Sequence, residues 1–179
     1  MSTIDLVLLG SLIQNPKSAY DLQKQVETRN LSRWIKIGSF TAYKKVAVYE
    51  KKGYVTSEIT KNGNMPEKTI YTITPEGKKK FTELMEKFSA AKTRVFLDFN
   101  AVIVNLSLLE KEDAHSYIAR IKDSIKNTKM QILQQLPRQK EMSLFGQAIL
   151  KQQYMLLETL EKWEENFEKE LLLQQEDKT

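Results

Sequence analysis

Hydroxyls and lysines crowd into one stretch, GSFTAYKKVAVYEKKGYV, from Gly38 to Val55. Ser39 and Thr41 lead it, and Lys44, Lys45, Lys51 and Lys52 follow. Ammonium groups neutralise phosphates, while small and hydroxyl side chains at the start of a helix can meet base edges in a major groove. On that chemistry Ser39, Thr41 and Ala42 are placed at base edges, Lys45 at a base or a phosphate, and Tyr43 and Lys44 at phosphates, although Tyr43 would serve equally as a core residue. A second group, Lys61, Asn62 and Lys68, surrounds an Asn62-Gly63 turn. The competing reading is a solvated lysine face, which this stretch alone does not exclude.

Catalytic chemistry finds little support. His115 is the only histidine and there is no cysteine, so one chain offers no multi-histidine or thiolate metal site and no cysteine nucleophile. The six glycines form no phosphate-binding loop. Glu158, Glu161, Glu164, Glu165 and Glu168 are spread along one helical pattern, which reads as a solvated acidic face. Neither an enzyme nor a cofactor is expected.

The elements that would carry the basic stretch are legible. Ser2 with Asp5 and Ser18 with Asp21 have capping-box spacing. A first helix with Ile4, Leu8, Leu9, Leu12 and Ile13 inward ends at Asn15-Pro16, and a second buries Tyr20, Leu22 and Val26. The third runs from an N-cap at Ser39 to Gly53, with Phe40, Tyr43, Val46, Ala47 and Glu50 on its inner side. Trp34, in the connection before it, is expected to pack beneath it. Three short helices, the third basic, make a helix-turn-helix core. Tyr54 to Thr60 and Lys68 to Thr74 are rich in β-branched and aromatic residues and form a hairpin about Asn62-Gly63. Thr74-Pro75-Glu76 then starts a helix with Phe81, Leu84, Met85 and Phe88 on its apolar face.

These residues resemble the PadR family of bacterial transcriptional regulators over roughly residues 4–88. Leu8-Leu9-Gly10 and Ala19-Tyr20-Asp21-Leu22 are similar to the family's leucine-rich first helix and its Gly-Tyr-Asp/Glu-Leu signature. Tyr43, Glu50, Gly53 and Val55 fit the pattern of its third helix, and Tyr71, Ile73, Thr74, Gly77 and Lys78 fit the pattern that follows the hairpin. Lys44 stands where the family usually has proline, and Val46 and Tyr49 replace two leucines; those two swaps are expected to preserve the packing. The resemblance implies a mostly α fold with a small β-hairpin: an N-terminal winged helix-turn-helix domain and a C-terminal helical dimerisation domain.

Charge divides the chain in the same way. Residues 1–92 hold 16 Lys and Arg against 9 Asp and Glu, a net of +7, whereas residues 93–179 hold 12 against 14, a net of −2. A polyanion would therefore meet the first part, so residues 1–92 are expected to bind DNA. Residues 93–179 read as helical throughout: an apolar helix from Thr93 to Leu109 that should be buried, a second from Glu112 to Leu136, and a long one from Ser143 to about Gln175. The last carries Ile149, Leu156, Leu160, Trp163, Phe167 and Leu171 on one stripe. A helix of roughly 45–50 Å is too long for one small domain to cover, so the expected partner is a second copy. The resemblance implies the same homodimer, and with it a repressor released by phenolic acids or other small aromatic molecules. Phe96, Phe99, Tyr154 and Trp163 are the candidates to line such an effector site, against packing within the core or the dimer.

The apolar N-terminus carries Asp5 and no leading positive charge, so it is a poor signal peptide, and no stretch is long and apolar enough to span a bilayer. With the absent cysteines this suits the bacterial cytoplasm. The expected function is a homodimeric regulator, of repressor type, on an inverted-repeat operator in double-stranded DNA. The alternative is a winged-helix interaction scaffold that pairs with a protein, since one fold hosts both uses.

Overall fold

The computed structural model describes residues 1–29, 31, 35, 41–61, 67–137 and 142–176. It is mostly helical, with one three-stranded antiparallel sheet, and it divides into two compact units, Met1–Thr93 and Arg94–Thr179.

The first unit opens with helix α1 (Thr3–Gln14), where Ser2 and Asp5 form a capping box. Strand β1 (Lys17–Ser18) leads into helix α2 (Ala19–Thr28), where Ser18 and Asp21 repeat the device. Helix α3 spans Ala42–Lys51. Its N-cap is Thr41, whose hydroxyl accepts the Lys44 N–H at 3.3 Å; Ser39, the expected cap, lies outside the described residues, as do Trp34 and Phe40. Gly53 closes the helix at φ +70°, with Tyr54 N–H donating to Tyr49 C=O and Gly53 N–H to Glu50 C=O. This is the Schellman pattern, and the positive φ is what calls for a residue without Cβ.

Strands β2 (Val55–Thr60) and β3 (Lys68–Ile73) pair with Val55 opposite Ile73 and Thr60 opposite Lys68. The expected hairpin strands are thus present, while the Asn62-Gly63 turn lies outside the described residues. The sheet order is β1-β3-β2, because Lys17 and Ser18 pair with Tyr71 and Ile70. Two residues are too few to leave a period-2 signal, so β1 has no sequence signature. Helix α4 (Pro75–Ser89) starts at an N-cap Thr74 with Pro75 in its first turn. The Thr74 hydroxyl donates to Gly53 C=O and accepts the Gly77 N–H, joining the end of α3 to the start of α4. A Cβ on Gly77 would sit 2.1 Å from the Tyr54 carbonyl oxygen, so glycine here is a packing requirement. Gly77→Ala is expected to lower the unfolding free energy by about 1–3 kcal/mol, read as a shift in the denaturation midpoint, because backbone atoms must move to admit the methyl.

The core of this unit joins Ile4, Leu8, Leu9 and Leu12 of α1, Leu22 and Val26 of α2, Ala42, Val46 and Tyr49 of α3, Val55 and Leu84. Three expectations shift. On α3 the inward stripe is Ala42, Val46 and Tyr49; Tyr43, Ala47 and Glu50 are exposed, so only Val46 keeps its expected place among the described residues. The reason is Tyr49, whose large ring gains more from burial than Ala47 or Glu50 could, provided that its hydroxyl finds a partner. Tyr20 is exposed and Ala19 takes the inward position on α2. Ile13 and Met85 are more exposed than expected, the second because Phe81, Leu84 and Phe88 already fill the seat of α4.

In the second unit the expected buried helix from Thr93 to Leu109 does not form. Only α5 (Asn100–Ile103) and a 3-10 turn at Leu106–Leu108 are helical, and Val95, Phe96, Val104 and Leu108 are exposed. Asn105 donates its side-chain amide to Ala101 C=O at 2.7 Å, a local bond of the kind that competes with helix propagation. The β-branched Val102, Ile103 and Val104 also weaken helix preference. Helix α6 (Lys111–Leu133) buries Ala114, Ile118, Ile121, Ile125 and Ile132. Helix α7 (Leu144–Glu176) has 33 residues and is about 50 Å long. It runs antiparallel to α6, as the ion pairs Lys122–Glu168 and Lys129–Glu161 fix. Phe167 and Leu171, expected on the dimer stripe, pack within the chain against Leu106, Ala114 and Ile118. Among the described residues no helix is long and apolar enough to cross a membrane.

Candidate DNA-binding face

The residues singled out for DNA contact divide once α3 is in place. Tyr43 and Lys44 stand on its exposed face beside Val48, and Thr41 is exposed at its start. The Thr41 oxygen accepts one hydrogen bond as the helix cap, which leaves its hydroxyl hydrogen and a second lone pair to offer a base. Ala42 is fully buried, and its backbone N–H donates to Gln23 Oε1 at 3.0 Å. It faces the core at the first turn of α3 and presents no methyl to a base edge.

Lys45 also departs from expectation. Its ammonium is 2.8 Å from Asp5 Oδ1, and the same oxygen accepts the Tyr49 hydroxyl at 2.7 Å. Asp5 is only 2% exposed and Tyr49 is fully buried, so the lysine is drawn inward, away from the outer face. Burial alone would raise the Asp5 carboxyl; hydrogen bonds from Lys45, Ser2 N–H and Tyr49, with the lysine charge, outweigh it and hold the group below its usual range. For Tyr49, burial comes first, then the Asp5 bond and charge, and all push its hydroxyl up. The tyrosine that replaces a leucine therefore keeps the packing only because a carboxylate receives its hydroxyl.

On the hairpin, Lys61 is exposed directly after β2, and Lys68 opens β3 across from Thr60. Lys68 lies 2.8 Å from Asp21 in an ion pair that is partly exposed on both sides. The Lys68 bond, opposed by desolvation and aided by Ser18, holds the Asp21 carboxyl low. A pair this open to solvent is weak, so the ammonium can exchange Asp21 for a phosphate. Asn62, like Ser39, lies outside the described residues. Sequence reading misses an open groove of about 380 Å³ lined by Gln14, Lys17, Asp21, Lys24, Gln25, Thr28 and Arg29. Its cations are Lys17 of β1, the strand too short to be read, Lys24 of α2 and Arg29 at the C-cap of α2.

In the second unit the aromatic candidates separate. Phe99 stacks on Trp163 at 5.5 Å between ring centroids, and Trp163 stacks on Phe167 at 5.6 Å. Phe96 is 79% exposed, and Tyr154 sits under the Lys129 ammonium, 5.4 Å from its ring centroid. Phe167 joins the cluster although its spacing marked it for a dimer. Glu164, expected on a solvated face, is buried, and neither carboxylate oxygen has a hydrogen-bond partner. Lys122 is the nearest cation, at 3.9 Å. Among the described residues no group of three or more His, Cys, Asp and Glu is placed to hold a metal.

A family model described as a winged helix DNA-binding domain matches residues 18–91. Among solved structures, Bacillus subtilis PadR in complex with operator DNA superposes with a TM-score of 0.77 at 18% identity, covering 93% of this chain and 98% of that one. The same protein in complex with p-coumaric acid gives 0.78 at 17%, covering 94% and 98%. The PadR-like transcriptional regulator BC1756 from Bacillus cereus gives 0.71 at 18%, covering 96% and 99%. Curated protein sequences give no match. Residues 18–91 thus match a winged helix DNA-binding domain, and the chain as a whole shares the fold of B. subtilis PadR and of BC1756.

Proposed function

We propose that this chain is a homodimeric transcriptional regulator that acts in the cytoplasm, binds an inverted repeat in duplex DNA and represses the genes beside it. The observation that carries the reading is the exposed pair Tyr43 and Lys44 on α3, joined by Lys61 and Lys68 on the hairpin, within a matched DNA-binding domain. Thr41, with Ser39 outside the described residues, is the proposed base reader; Tyr43, Lys44, Lys61, Asn62 and Lys68 hold phosphates. Two α3 helices related by a two-fold axis would enter successive major-groove faces about 34–36 Å apart. The operator complex of B. subtilis PadR supports this reading. A gel-shift assay on the upstream region of the protein's own gene, against random duplex competitor, tests it. Selective retardation is expected, and equal weak binding to every duplex would defeat it.

The dimer is proposed to form through the part of α7 that α6 leaves open, where Leu144, Phe145, Met155 and Leu156 are exposed. Ile149, Leu160 and Trp163 flank that surface and are half-buried. An aromatic effector is proposed at the Phe99–Trp163 stack, which the p-coumaric acid complex of PadR supports by analogy. Phe96 and Tyr154 would then be peripheral to it. Trp34 and Trp163 are the only tryptophans. A phenolic acid that releases DNA should therefore quench emission in the Trp34→Phe variant and leave the Trp163→Phe variant unquenched. Quenching that survives in Trp163→Phe would move the site elsewhere.

A further inference from the structure

The winged unit holds a polar cluster that DNA contact does not use. Asp5 Oδ2 accepts the Ser2 backbone N–H at 2.5 Å and the Ser2 hydroxyl at 3.0 Å. Asp5 Oδ1 accepts the Lys45 ammonium at 2.8 Å and the Tyr49 hydroxyl at 2.7 Å. One oxygen is thereby fixed by the start of α1, and the other grips α3. Lys45 and Tyr49 are four residues apart, so the grip spans one full turn on one side of the helix.

A helix held at two successive turns by a buried carboxylate cannot roll about its axis without breaking charge-assisted bonds. On the same side Ala42 and Val46 are too small to resist a roll by shape, so resistance falls to the buried Tyr49 ring and to the bonds that Asp5 makes with Tyr49 and Lys45. Gln23 Oε1, which accepts the Ala42 N–H, pins the first turn and leaves the rest of α3 to Asp5. The roll decides which side chains face outward, and here they are Tyr43, Lys44 and Val48.

We infer that Asp5 is a positioning residue for DNA recognition, setting the roll of α3 through Lys45 and Tyr49, and that Lys45 acts inward and touches no DNA. The inference rests on the DNA-binding reading and deepens it. It assigns to a lysine of the basic helix a role opposite to the one its place in the sequence suggests.

The experiment uses the full-length chain as wild type, Lys45→Met, Asp5→Asn with Lys45→Met, and Lys44→Ala. Operator affinity is measured across a salt series, and thermal unfolding is followed in parallel. Methionine keeps the length of the lysine stem but strands a buried carboxylate, whereas the double variant removes both charges together. Lys45→Met is expected to weaken operator binding about tenfold or more and to lower the unfolding midpoint. Its slope of log affinity against log salt should stay at the wild-type value. The double variant should recover most of the midpoint but not the affinity, because no carboxylate then holds α3 through Lys45. Lys44→Ala, which removes two phosphate contacts per dimer, should flatten the slope by about 1–2. A flattened slope in Lys45→Met would make Lys45 a phosphate contact, and full recovery of affinity in the double variant would show that α3 needs no grip from Asp5; either result overturns the inference. A wild type that selects no duplex would overturn the DNA-binding reading itself, and the inference with it.

Discussion

Leu156→Asp should convert the protein from a dimer to a monomer in sedimentation, and operator affinity should fall by about 10²–10⁴-fold. Leu156 is 51% exposed and stands beside Met155, which is 54% exposed, on α7. Aspartate there leaves the seam with α6 untouched, so the hairpin of α6 and α7 should keep its helical circular dichroism. An aspartate at a dimer centre must be desolvated without a partner, which costs more than the contact it replaces. The loss in DNA binding follows because an inverted repeat is gripped twice, and a monomer keeps only one half-site. Deleting everything after Gly146 is the cruder version. It also uncovers the isoleucines of α6, so a monomer or an aggregate is expected. A Leu156→Asp variant that stays dimeric and binds normally would place the two-fold interface elsewhere.

Glu164→Gln should stabilise the second unit at neutral pH and flatten its response to pH, because it removes a buried charge that no hydrogen bond satisfies. Glu164 is 1% exposed, and burial raises its carboxyl; Lys122 opposes the shift, while Glu168, Glu165 and Glu161 add to it. A carboxyl raised in the folded state contributes stability that is fully present below the ordinary value of 4.5 and lost as pH rises through the folded value. Wild type should therefore lose stability between about pH 4.5 and that higher value, while Glu164→Gln should not. Asp5 and Asp21 work in the other direction. Their lowered values place their stabilisation above 3.8, to be lost as pH falls further. Chemical denaturation from pH 4 to 8 on both proteins reads the difference, and parallel curves would contradict the burial of this carboxylate.

The first unit is readable because its signals are local. Capping boxes at Ser2 and Ser18, the Gly53 stop and the Thr74-Pro75 start each depend on neighbours in sequence, and all four hold in the structure. The roll of α3 is not readable, because the Asp5 contacts that set it join residues 40 and 44 positions apart. A polar pair at that separation leaves no periodic trace. The same blindness applies to Glu164, whose burial depends on the register of α6 against α7. Thr93 to Leu109 fails for a different reason. Its apolar residues suggest a buried helix, yet Asn105 and the β-branched run favour short turns, and local bonding prevails over pattern. Of the DNA face, the lysines and hydroxyls are legible as a set, but which lysine points outward is a three-dimensional property.

The most direct test of a sequence-reading regulator is the affinity for its own upstream inverted repeat and for a scrambled duplex, by fluorescence anisotropy across a salt series. With Lys45 turned inward, Lys44, Lys61 and Lys68 offer six phosphate contacts in a dimer, so a slope of about −5 is expected on both duplexes. The inverted repeat should be bound at least about 10³-fold more tightly at physiological salt. Equal affinity for the two duplexes, at any salt, would contradict the account.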